Sequence, residues 1–155
     1  MTSHKISKYI HRNFLKIKLT ILTLGRINMA TWQEISTALT NNNSFKAEMQ
    51  NDSLVKALLK TDNGRDHIVW VGHRDDEIVL SALICKLDEV KLDVMFESDL
   101  ISEIAYGFSA VGEYLCIRHV ALLADMDAAE LIKPLVALAY IGDMLEKAIV
   151  GGDTY

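Results

Sequence analysis

The chain has 155 residues, half of them hydrophobic and 24% charged, with a net charge of −5. That composition supports one domain with a sizeable core and excludes disorder along most of the length. Residues 1–28 hold six Lys or Arg and no acid, leaving ten basic against twenty-one acidic residues in 29–155, a net of −11. Such an acidic body argues against direct nucleic-acid binding and suits basic partners or simple solubility.

Residues 1–28 read as a basic N-terminal extension, either an unstructured tail or a start-site artefact, with the domain beginning at Met29. The alternative is an amphipathic helix, with Ile6, Ile10, Phe14, Ile17, Ile21 and Leu24 on one side and Lys5, Lys8, Arg12 and Lys16 on another. That helix would lie on an anionic membrane surface. Lys16 and Lys18 interrupt it too much for a bilayer span, and no signal-peptide core with a small-residue cleavage site follows. A membrane is therefore a partner only if this segment belongs to the natural protein and is helical.

Past Met29, Thr31 or Ala30 opens a helix in which Trp32, Ile35, Ala38 and Leu39 share a face, and Asn41, Asn42, Asn43 and Ser44 close it with a turn. Phe45, Ala47 and Met49 alternate with Lys46, Glu48 and Gln50, the period of a half-buried strand. Leu54–Lys60 reads as a second strand, although Leu54, Ala57 and Leu58 also suit a helical turn. After a turn at Thr61–Gly64, His67–Gly72 is β-branched and aromatic, hence strand, and Arg74, Asp75 and Asp76 turn the chain into a fourth strand, Ile78–Leu87. Leu92–Ala105 reads as a helix with Ser98 as an internal cap, ended by Gly107. Phe108–Val111 and Tyr114–Leu123 form a hairpin around Gly112 and Glu113. The predicted fold is α+β, in the order α-β-β-β-β-α-β-β-α. Its sheet is mainly antiparallel because the connections are short, with helices packed on one face.

The last helix, about Asp127–Val150, is the predicted keel. Ala128, Leu131, Leu135, Leu138, Gly142, Leu145 and Ile149 step by three and four along one face, and Ile132, Val136, Ala139 and Asp143 form a second row. So little polar surface implies cover on more than one side, which makes Leu131, Leu135, Leu138 and Tyr140 a candidate interface as well as core. Asp127 with Glu130 suits a capping box and Gly151 a C-terminal cap. Pro134 has no amide hydrogen for the carbonyl of Glu130, so a kink, or a main helix starting near Pro134, is expected.

No motif announces catalysis, and no catalytic, cofactor or metal residue is assigned. His67, His73, Asp75, Asp76 and Glu77 are the nearest approach to a metal cluster, but acidic residues are what a hairpin turn uses anyway. Ser81, Cys85 and Cys116 lack a base nearby in sequence that would mark a nucleophile. Both cysteines lie in apolar strand-like runs that suit buried thiols better than a disulfide, and a reducing cytoplasm is the expected location. Gly64, Gly72, Gly107 and Gly112 stand singly, so nucleotide binding has no support. Arg118 and His119 interrupt an apolar strand whose residues alternate between faces, so one of them should face the helices. Asp143 is the expected partner for Arg118, as a buried pair; the other reading is that Arg118 reaches the sheet rim.

The run Gly112–Val120, followed by Leu123–Asp127, Gly142–Glu146 and Gly151–Asp153, resembles the C-terminal half of the type III secretion chaperone-like superfamily, which includes the Tir chaperones and YbjN-like proteins. The similarity extends over most of 31–155 and is clearest from Ile104 onward. It implies a small cytoplasmic protein, commonly a homodimer, whose helices cover one side of an antiparallel sheet. Its implied function is binding of a partner or client polypeptide without catalysis. The basic segment before Met29 departs from that pattern.

Overall fold

The computed structural model describes residues 30–61, 64–91, 93, 95 and 106–151. Within them the chain runs through helix α1 (Trp32–Thr40), strands β1 (Lys46–Asn51), β2 (Leu54–Lys60), β3 (Asp66–Arg74) and β4 (Glu77–Lys86), then β5 (Gly107–Val111), β6 (Tyr114–Leu122) and the long helix α2 (Ala128–Val150). The fold is α+β in the expected order. The basic extension 1–28 lies outside the described residues, as does most of the helix expected over 92–105, of which Asp93 and Met95 are described and helical.

The six strands form one sheet in the order β1-β2-β3-β4-β6-β5, and every neighbouring pair is antiparallel. Two-residue turns join β1 to β2 and β3 to β4, and residues 61–65 connect β2 to β3. At Asp75 the backbone takes φ 57°, the left-handed geometry that a tight β3–β4 hairpin demands and that Asp tolerates. Leu54–Lys60 resolves as a strand because its side chains alternate between buried and half-buried positions, which the period of two permits and a helical turn does not.

One face of the sheet is core. Val55, Ala57, Val69, Val71, Ile78, Leu80, Ala82 and Ile117 are all fully buried beneath α1 and α2, with Ile35 and Leu39 contributed by α1. Helix α2 packs mainly on β4, with β3 and β6 to either side. It starts at a complete capping box: Asp127 accepts from the Glu130 amide at 2.8 Å, and Glu130 accepts from the Asp127 amide at 3.3 Å. It stops at Gly151, whose φ of 73° suits a left-handed cap and whose amide donates to the Lys147 carbonyl. Pro134 sits inside one continuous helix, so of the two expected arrangements a main helix that begins there is excluded; the capping box already anchors the preceding turn. No helix among the described residues is long and apolar enough to cross a membrane.

Candidate binding face and the buried ion cluster

Strand alternation gives the sheet two faces of different character. On the covered face, the hairpin between β2 and β3 and the middle of α2 bring four ionisable groups together. The Thr61 amide donates to the Arg65 carbonyl at 2.8 Å and the Gly64 amide to the Thr61 carbonyl at 2.9 Å, which closes the turn and aims Arg65 at α2. Its guanidinium donates to Asp143 in a short ion pair. His67 follows two residues later on the same side of β3, and its Nδ1 lies 3.9 Å from Oε2 of Glu146. His67, Asp143 and Glu146 are 2%, 6% and 0% exposed.

The fit of His67 depends on Gly142. A Cβ at that position would stand 2.5 Å from His67 Nε2 and 3.2 Å from the Cβ of Ala82, so only glycine lets the helix approach the sheet here. Nε2 is buried without a hydrogen-bond partner among the described residues, which favours the neutral tautomer carrying its proton on Nδ1. Burial pushes the His67 pKa down, and it outweighs Glu146, Asp143 and the Leu83 backbone, all of which favour the protonated ring; Arg65 acts with burial. His67, Asp143 and Glu146 bring potential ligand atoms within 4.8 Å of one another, a set that could hold a divalent cation. Arg65 already supplies positive charge at Asp143 and Gly142 closes the Nε2 side, so the chemistry of the group is that of a structural ion cluster.

The expected Arg118–Asp143 pair is corrected by this arrangement. Asp143 pairs with Arg65, while Arg118 sits opposite Ser81 on the far face of the sheet, since its neighbour Ile117 is the one that enters the core. Leu131, Leu135 and Leu138 are fully buried in their own chain and belong to the core, which removes them as an accessible interface; Tyr140 is half-buried. The expected turn cluster separates too. His67 joins the ion cluster near one end of β3, and His73, roughly 20 Å along the strand, stacks on Trp32 with ring centroids 5.4 Å apart. Trp32 is fixed in turn by its indole N–H, which donates to the Asp52 carbonyl at 2.6 Å. Near Asp75 and Asp76, Glu77 makes an exposed ion pair with Arg74 at 3.8 Å.

The other face, which the described helices leave uncovered, carries a groove of about 460 Å³. Leu54, Trp70, Val79, Leu83, Val111 and Tyr114 give it an apolar and aromatic surface, Gly72 lowers its floor, and Ser81, Cys116 and Arg118 complete the centre. The floor follows the register: Gly72 stands between Leu54 and Val79, and Trp70 lies across from Ser81, which lies across from Arg118. His73 and Arg74 reach the rim. No carboxylate lines the groove among the described residues. The Arg118 Nε is buried, and Arg118 has neither hydrogen bond nor ion pair among the described residues.

Cys85 and Cys116 are both buried and unlinked. Burial, reinforced by Glu89, Glu146 and Asp88, pushes the Cys85 thiol up to about 11. Burial also raises Cys116, against the opposing pull of the Val111 backbone and Arg118. Neither thiol is primed as a nucleophile at neutral pH. Compared with protein-family models and with curated proteins, the chain matches none.

Proposed function

We propose that this protein is a non-catalytic protein-binding module whose uncovered sheet face receives an apolar segment of a partner polypeptide. The observation that carries this reading is the groove: aromatic and aliphatic side chains from five strands form a concave apolar surface that the chain's described helices leave open. Burying such a surface favours association, and an extended segment can lay side chains into it without any reactive group. The resemblance of residues 112–153 to chaperone-like proteins supports the same class of function.

Gly72 offers a direct test. Its φ is not in the left-handed region, and a Cβ there would meet Leu54, Val79 and Ser53 only at ordinary contact distances of 3.8–3.9 Å. Gly72→Val therefore fills the floor while keeping a residue that strands favour. The full chain is panned against a phage-displayed random peptide library. Wild type is expected to enrich peptides that Gly72→Val no longer holds, with unfolding of the variant unchanged. Failure of wild type to enrich any peptide overturns the function, and peptides that bind Gly72→Val equally well overturn the groove as their site.

A further inference from the structure

We propose that the segment received by this groove presents a carboxylate, an Asp or Glu side chain between apolar residues, and that Arg118 binds it. This inference rests on the reading of the groove as a polypeptide site and specifies its occupant.

Charge carries the argument. The body is strongly acidic, yet the groove centre holds a guanidinium and no carboxylate among the described residues. Cross-strand register places Arg118 beside Ser81, Ser81 beside Trp70 and Trp70 beside Lys56, whose Nζ stands 5.9 Å over the indole ring. The middle of the face is thus an aromatic platform between two cations. Arg118 is already half-buried, with its Nε withdrawn from water and unpartnered among the described residues. A purely apolar segment closing over it would strip the rest of the guanidinium of water and give nothing in return. A carboxylate can accept two parallel N–H donors from the same fork, which converts the penalty into orientation and affinity.

The same charge argues against two other occupants, a second copy and the basic extension. A second copy seated face to face would bring two Arg118 side chains toward one another in a groove whose described residues supply no acid. Residues 1–28 carry six basic residues and no acid, so they have nothing to offer Arg118. The acidic body seen in sequence suggests basic partners, but the local field in this groove selects the opposite sign.

The test uses the full chain and the peptides that wild type enriches. They are expected to share an Asp or Glu flanked by apolar residues, and synthesis of one such peptide with its carboxylate exchanged for the amide should weaken binding roughly tenfold or more. With Arg118→Met the same exchange should change affinity little, while Arg118→Lys should restore part of the discrimination. That coupling between peptide carboxylate and Arg118 is a readout a purely structural role would not move. Peptides without acidic residues that ignore Arg118→Met yet are lost on Gly72→Val would overturn this inference and leave the binding function standing. No enrichment by wild type would remove the binding function itself.

Discussion

On the covered face of the sheet, Arg65 is held against Asp143, with His67 and Glu146 buried alongside. On the uncovered face, Arg118 is half-buried in an apolar groove with no partner among the described residues. Two guanidiniums in one small domain are thus treated oppositely. A buried cation that serves the fold is paired, because the desolvation cost otherwise falls on stability. One left unpaired among the described residues, on a face their helices leave open, makes sense as a group reserved for something that arrives later, at some cost to the free protein.

Breaking the covered face should have the largest effects. Arg65→Met leaves Asp143 and Glu146 buried near one another without their cation, and should cost about 3–5 kcal/mol in chemical denaturation. Adding Asp143→Asn should recover part of that loss, since the two residues act as one unit. Leu138→Ala removes a fully buried side chain from the α2 seam and should cost about 2–5 kcal/mol. The loss should not vary with protein concentration, because Leu138 is buried within its own chain; a dependence would show that a second copy contributes to its cover. Gly142→Ala pushes a methyl into His67 and Ala82 and should cost about 1–3 kcal/mol, less in a His67→Ala background where the ring no longer blocks it.

A smaller effect comes from pH. Burial holds His67 below its ordinary value of 6.5, with Glu146, Asp143 and the Leu83 backbone opposing and Arg65 assisting. The unfolded chain therefore takes up the proton first as pH falls, so stability rises with pH between the depressed folded value and about 6.5 and is lost on acidification through that window. The stability of His67→Gln should lack this component, and the difference between wild type and variant should shrink as pH drops. A difference that grew on acidification would mean that Glu146 and Asp143 dominate instead and the folded ring is protonated.

Much of the scaffold was legible in the sequence because it is periodic. The seam from Leu131 to Ile149 is buried as its spacing requires, and the alternation in β2 and β3 sets the two faces. The ion cluster was not, because Arg65 and Asp143 are 78 residues apart and no local pattern joins them. Asp143 was recognisable as a charge in an apolar helix, but whether Arg118 pairs with it or lies elsewhere depends on which face Arg118 takes, and only the register decides that. Glu146 follows Gly142 by four residues and precedes Ile149 by three, so its place on the buried seam was a signal that could have been read. The groove itself depends on the side-by-side order of five strands, a property of topology that composition does not carry.

The stability of Arg118→Met, measured on the free protein by chemical denaturation, tests most directly whether the two faces do different work. Removing a partly desolvated guanidinium that has no partner among the described residues should leave stability unchanged or raise it, in contrast to the large loss for Arg65→Met. A loss at Arg118 comparable to that at Arg65 would show that Arg118 serves the fold, and would contradict the account of an open face kept for a partner.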